Sequence, residues 1–315
     1  MITAYARREG RLLQIEIEHR ADLPTDALWI DLVSPSLEER GWVEEVYEQI
    51  LPKPDEMAEI EASARFYEDE HGLHLHSYFL HEFPEGYRNL TVAFTVGGGR
   101  LFSLRDEDLH TFRIFRARAR RQPGLGRDAM SILLDLFDIK VERTADLLEQ
   151  LYAELDALSN RVLTNEEKDM QKVLSVLSKQ EDINGKARMN LMDLQRVLSF
   201  LMRSRILDPG LTMQLRDILR DIQSLISHSA FLFEKVNFLM DAALGFINIE
   251  QNQIIKIFSI FAVVFLPPTM VASVYGMNFK IIPELQWEYG YPFALMMMFM
   301  SAILPYIYFK RRGWL

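Results

Sequence analysis

The sequence predicts an α+β N-terminal domain, a mixed sheet with helices, followed by a long stalk helix and a two-helix transmembrane hairpin. Three observations carry that prediction. Strand-like and helical segments alternate up to about residue 105, an almost unbroken helical pattern follows, and two uncharged apolar runs close the chain. The boundaries read as an α/β domain over 1–127, a helical hairpin over 128–209 and a stalk helix over 210–256. The first span follows at 257–275, an outer loop at 276–290, the second span at 291–309 and a basic tail at 310–315.

In the first region Leu13, Ile15 and Ile17 alternate with polar residues, and the segments 27–33 (ALWIDLV) and 74–80 (HLHSYFL) read as strands. Residues 90–96 and 101–105 flank Gly97, Gly98 and Gly99, a hairpin signal. No Lys-Ser/Thr follows the glycines and no helix opens from them, so they form no phosphate cradle and no nucleotide is expected as a partner. After Asp106 helices are expected near 128–162 and 170–206, with breaks at 121–127, 163–169 and a stop at Asp208-Pro209-Gly210. From Leu211 the helical pattern continues to Tyr275, about 97 Å of helix at 1.5 Å per residue, too long to be satisfied inside one globule. It reads as a stalk packed against copies of itself.

The runs 257–275 and 291–309 carry no charge. Each matches the roughly 20 residues that cross a hydrocarbon core of about 30 Å, and core helices of soluble proteins seldom lack charge over that length. Lys256 precedes the first run and Lys310, Arg311 and Arg312 follow the second, so both ends of the hairpin are expected on the cytoplasmic side. Trp287, Tyr289 and Tyr291 at one end, and Tyr306 and Tyr308 at the other, fit interfacial aromatic belts.

Charge is distributed unevenly. The net charge of the chain is −10, yet residues 251–315 hold five basic residues and two acids, which leaves −13 on the first 250. An acidic body disfavours nucleic acid and anionic lipid surfaces and is compatible with a domain that meets cations. The chain has no cysteine, which removes disulfides, thiolate metal sites and thiol nucleophiles. Its first residues have neither an apolar core nor a cleavage site, so no signal peptide is expected.

A polar stripe runs along the long helix. With Asn237 set to zero, Asp241, Asn248, Asn252, Ser259 and Ser273 fall within a sector of about 60° at 100° per residue. Ile255 and Leu266 interrupt it. Polar groups facing lipid are costly, so inside a span the stripe faces protein or water. Either it stitches neighbouring helices together, or it lines an aqueous axis with Ile255, Phe258 or Leu266 as dewetting constrictions. Two helices per chain enclose no conduit, so the second reading requires a ring of subunits.

Span one ends on Tyr275-Gly276-Met277-Asn278-Phe279, and the next segment reads Pro283-Glu284-Leu285-Gln286-Trp287-Glu288-Tyr289-Gly290-Tyr291-Pro292. Here the chain resembles the CorA family of magnesium channels, whose signature is a Gly-Met-Asn triplet closing the first of two C-terminal spans. The resemblance extends over the whole chain, through 246–259 (FINIEQNQIIKIFS), 266–269 (LPPT), the closing 308–315 and 59–69 (EIEASARFYED), the last of these in the manner of the proteobacterial branch. It implies a homopentameric funnel in the bacterial inner membrane with both termini cytoplasmic. Lipid and divalent cations are the implied partners, and Mg²⁺ is both cargo and regulatory ligand.

A ring of Gly276, Met277 and Asn278 is the implied selectivity filter. Mg²⁺ holds octahedral water at about 2.0–2.1 Å and dehydrates reluctantly, so neutral oxygens that hold the hydrated ion suit a first filter. Gly and Asn also favour helix C-termini, and a simple capping role is compatible with the same residues. Carrying the family's pore positions across gives Asp241 and Asn252 as inner polar rings, Thr269 and Ser273 between them and the filter, and Phe258 and Leu266 as apolar rings. Leu266 and Ser273 stand where the family often has methionine and glycine. The family's inhibitory Mg²⁺ carboxylates match Glu59 and Asp217. Glu284 and Glu288 in the outer loop either concentrate cations or are merely solvated. A dication entering across 100 mV gains about 4.6 kcal/mol, enough to drive uptake without ATP.

Among His71, His74, His76 and His81, His74 and His76 share a strand face, but no third ligand is fixed and a structural role is expected. The Met296–Met298 run reads as lipid-facing filling. No arrangement of catalytic groups can be argued from spacing, so no enzyme is expected. Zn²⁺, Co²⁺ or Ni²⁺ transport within the same two-span class, and a membrane-anchored scaffold, are the rival readings.

Overall fold

The computed structural model describes residues 1–8, 10–52, 65–164, 167–204, 207–278, 280 and 282–313, in two compact units, Met1–Leu239 and Met240–Leu315.

The first unit is built on one seven-stranded mixed sheet. Its strands are β1 (Ile2–Arg8), β2 (Arg11–Ile17), β3 (Ala27–Val33), β4 (Phe66–Asp69), β5 (Gly72–Phe83), β6 (Gly86–Gly97) and β7 (Arg100–Arg105), in the order β2-β1-β3-β7-β6-β5-β4. Only the β3–β7 pair is parallel. β3 is the expected 27–33 strand, and it reads as a continuous apolar run because both its faces are covered. Ile30 and Leu32 pack with Val43 of α1 (Leu37–Tyr47). On the opposite face the Trp29 ring stands 5.5 Å from Phe115 of α2 (His110–Arg121), and the Trp29 indole donates to Ser103 at 2.8 Å.

The edge strand β2 forms where the alternation of Leu13, Ile15 and Ile17 predicts it: Ile17 is buried in the core with Ile15 packed against it, while Leu13 is exposed. The Gly97–Gly99 hairpin forms as expected. Gly98 and Gly99 take φ of 57° and 75°, the left-handed pair of a tight hairpin turn, and β7 rather than a helix follows them. A Cβ on Gly97 would meet the His71 carbonyl at 2.2 Å.

Three long helices follow: α3 (Ala129–Leu163), α4 (Met170–Arg203) and α5 (Pro209–Tyr275). Asp208-Pro209-Gly210 is a start as well as a stop. The Asp208 carboxylate accepts from the Leu211 N–H at 2.7 Å and Pro209 opens the helix, where its missing N–H costs nothing. α4 therefore ends at Arg203, short of the expected 206. α5 then runs for 67 residues as one element. In the second unit it is followed by a short 3-10 turn, Pro283–Gln286, and by α6 (Gly290–Arg311).

Several polar groups buried in the first unit pair with one another. Asp31 and Arg105 are both 1% exposed and meet at 2.7 Å, with Ser103 donating to Asp31 at 2.7 Å. Arg65 meets Asp193 at 2.8 Å, and Asn184 and Ser229 bond across α4 and α5 at 2.9 Å. His74 shares 3.1 Å and 3.0 Å contacts with Thr95 and Asp69 and stacks on Tyr67, which gives it a structural role.

Candidate functional site

Helices α5 and α6 each contain a stretch long and apolar enough to cross a membrane. In α5, Phe258, Phe265, Leu266 and Met270 are 60–70% exposed, more apolar surface than a soluble monomer presents. The uncovered side is not uniform. Ile260, Val263, Val264, Pro267, Pro268, Val271 and Tyr275 are partly covered, whereas Asn252, Ser259, Leu266, Thr269 and Ser273 are exposed. The mean directions of the two sets differ by roughly 140° at 100° per residue. On the covered side Ile260, Val263 and Val264 line a cavity of about 320 Å³ with Tyr306 and Phe309 of α6, and Lys256 and Ser259 line it as well. The second helix therefore occupies one flank of α5, and apart from Ser259 the oxygen-bearing stripe lies away from it.

The stripe's chemistry is that of acceptors. Ser259 donates its hydroxyl proton to the Ile255 carbonyl at 2.8 Å, and Thr269 donates to Phe265 at 2.7 Å. Each hydroxyl keeps oxygen lone pairs free to accept. Asp241, Asn248 and Asn252 are exposed and, among the described residues, make no side-chain hydrogen bond. Ile255 and Phe258, at 62% and 70% exposure, stand as apolar neighbours of these groups. Pro267 and Pro268 lie inside the helix and lack N–H, so the carbonyls of Val263 and Val264 lose their helical donors.

The helix ends at Tyr275. The Gly276 N–H donates to Ala272 at 2.9 Å and the Met277 N–H to Val274 at 3.4 Å. Gly276 does not adopt a positive φ, so this glycine is not demanded by a left-handed cap. An added Cβ would instead press on the Ala272 carbonyl at 3.1 Å. Met277 is half exposed and Asn278 is exposed, while Phe279 lies outside the described residues.

Past the triplet, Glu284 and Glu288 are exposed. Gly290 is tightly held: a Cβ there would stand 2.2 Å from the Glu284 carbonyl, and its N–H donates to Trp287 at 2.9 Å. Trp287 packs against Phe293 with ring centroids 5.6 Å apart. This seating of the 283–290 turn on α6 is a feature that spacing alone did not reveal.

In the first unit, Asp217 is exposed and pairs with Arg220 at 3.3 Å. Glu59 lies outside the described residues. Among the described residues no three His, Asp or Glu side chains stand close enough to share a metal. Burial, with Glu142, Asp135 and Asp221 beside it, raises the Asp138 carboxyl, so the acidic face of α3 and α5 carries mutual repulsion.

Two membrane-length helices, an uncovered acceptor stripe and a mixed-sheet unit define a two-span integral membrane protein. The chain belongs to the CorA family: the family model described as CorA-like Mg²⁺ transporter protein matches residues 25–311. A magnesium transport protein CorA of Haemophilus ducreyi is 52% identical over 318 residues, and one of Salmonella typhimurium is 50% identical over 317. Both alignments cover 100% of this chain and of the relative. The CorA magnesium transporter of Methanocaldococcus jannaschii has the same fold, with a TM-score of 0.78 at 20% identity, covering 100% of this chain and 99% of that one.

Proposed function

We propose that the protein conducts Mg²⁺ into the bacterial cytoplasm through a ring of identical chains, driven by the membrane potential. The observation that carries this reading is the oxygen-bearing stripe of α5, which leads from Asp241 to Ser273 toward Gly276-Met277-Asn278 and, apart from Ser259 beside α6, is left uncovered by the chain's own second helix. Its neutral acceptors suit an ion that keeps its water shell. The curated relatives, named magnesium transport proteins and half identical over their whole length, support the same cargo.

In this reading five chains surround the axis. Gly276, Met277 and Asn278 form the outer filter, and Ser273, Thr269, Ser259, Asn252, Asn248 and Asp241 follow it inward. Ile255, Phe258 and Leu266 form the apolar constriction. Glu284 and Glu288 attract cations at the mouth. Both termini are cytoplasmic in the bacterial inner membrane, a reading the flanking positive charges support. Co²⁺ and Ni²⁺ are secondary cargo. Cytosolic Mg²⁺ closes the channel by neutralising carboxylate repulsion between subunits, at Glu59 and Asp217, and its loss lets the ring splay.

Flux into liposomes tests the assignment, comparing Mg²⁺, Zn²⁺ and Co²⁺ with Asn278→Ala as control. Potential-driven Mg²⁺ entry that falls at least about tenfold in Asn278→Ala is expected. Zn²⁺ flux exceeding Mg²⁺ flux makes it a zinc transporter, and no flux of any ion leaves a membrane-anchored scaffold.

A further inference from the structure

The first unit holds a cleft of about 300 Å³ that the conduction pathway does not use. It lies among the β5–β6 hairpin, the start of α2 and the middle of α3. Its cationic and aromatic walls are His81, Tyr87, His110, Arg113, Lys140 and Arg143. We propose that this cleft binds the phosphate dianion of a small soluble organic phosphate.

Four observations converge. First, basic groups from separate elements gather in a cavity on a part of the chain whose net charge is strongly negative. Second, the arginines here are under-used. Arg113 reaches Asp108 and Arg143 reaches Asp146 only at 3.5 Å, whereas the structural arginines Arg65, Arg105 and Arg116 meet their carboxylates at 2.7–2.9 Å. A charge-assisted pair of full strength takes the shorter distance, so the cleft arginines keep donors to offer. Third, α2 opens into the cleft without a cap. Leu109 has no side-chain acceptor, and the N–H groups of His110 and Thr111 have no acceptor among the described residues. These donors reinforce an anion site that the arginines define. Fourth, Lys140 forms the floor, with its Nζ donating to Ser77 at 3.0 Å and standing 4.7 Å over the Phe79 ring.

The acids of the cleft are accounted for. Glu82 lies beside Tyr87, where its charge adds to burial in raising the Tyr87 pKa, and Asp146 is 65% exposed at the rim. Burial together with Arg143 and Arg113 lowers the His110 pKa, and Arg113 stands 3.4 Å from its Nδ1, so the empty cleft disfavours the imidazolium. A bound dianion cancels the arginine fields and lets that imidazole take a proton more readily. The volume is at the low end for ligand sites and suits a sugar or glycerol phosphate.

Calorimetric titration of the full-length protein in detergent with glycerol phosphate and with inorganic phosphate, at constant ionic strength, tests the proposal. Saturable binding is expected, weakened about tenfold in Arg113→Gln and in Arg143→Gln, and unchanged in the remote Arg7→Gln. Mg²⁺ flux without phosphate and thermal midpoints are expected to be unchanged in all three. Independently of any variant, NMR titration of His110 in the wild type is expected to show its pKa rising when glycerol phosphate is added. Absence of saturable binding, equal affinity in the cleft variants, or an unmoved His110 overturns the proposal. So does binding of phosphatidic acid micelles without binding of glycerol phosphate, which would make the ligand a lipid.

Discussion

The two units of this chain treat polar groups in opposite ways. In the N-terminal unit Asp31, Ser103 and Arg105 close on one another, as do Arg65 with Asp193 and Asn184 with Ser229, so these buried polar groups find their partners within the chain. In the C-terminal unit Asn248, Asn252 and Ser273 stand exposed on a helix of membrane length whose own partner helix lies on another flank. Ser273 lies at membrane depth, where an unmatched polar group is costly, whereas Asn248 and Asn252 stand on the stalk before the span. The first unit uses polarity to specify a fold, and the second holds it in reserve for something outside the chain.

That contrast can be broken most forcefully at Asp31. Asp31→Ala leaves the buried Arg105 guanidinium without its carboxylate, and chemical denaturation is expected to show a loss of about 3–5 kcal/mol. Next in size, Gly290→Ala drives a methyl group into the Glu284 carbonyl and is expected to cost about 1–3 kcal/mol, read as a lower thermal midpoint.

Lys140 sharpens the comparison through pH. Burial pushes its ammonium from the ordinary 10.5 down to about 7. Between those values the unfolded chain holds the proton and the folded one does not, so this group makes stability rise as pH rises from about 7 to 10.5. Lys140→Met removes the penalty. Melting curves are expected to place the variant above the wild type by a few degrees at pH 6, with the gap closing toward pH 10. The smallest effect on stability is expected at Asn252→Ala, within about 0.5 kcal/mol, because its amide matches nothing in the chain. Its Mg²⁺ flux is nonetheless expected to change several-fold, whereas stability and flux falling together would place Asn252 with the structural amides.

What the sequence disclosed followed the same division. β3 was legible because a strand covered on both faces is apolar at almost every position, and the spans were legible because lipid tolerates no charge across them. α1 was not, since Val43 is its one buried residue, and only the Ser36–Glu39 capping box, with Ser36 accepting at 3.1 Å, announced it. β1 and β4 were not legible either, although each forms a tight hairpin with the strand that follows it. Asp208-Pro209-Gly210 looked like a stop because the same residues that end one helix can cap the next. Of the site, the stripe and the triplet are local patterns on one helix and could be read directly. The flank that α6 covers and the Gly290–Glu284 contact depend on tertiary packing that no spacing encodes.

The central claim is that the stripe of α5 faces water on an axis shared by several chains. Because the chain has no cysteine, single cysteines can be placed at Asn252 and Ser273 on the stripe, and at Val264 and Val271 on the covered side. Each variant in liposomes is then treated with a charged, membrane-impermeant thiol reagent while Mg²⁺ flux is followed. Modification that blocks flux from the two stripe positions and spares the other two is the predicted result. Equal reactivity on both sides, or reaction at Val264 and Val271 alone, would contradict it.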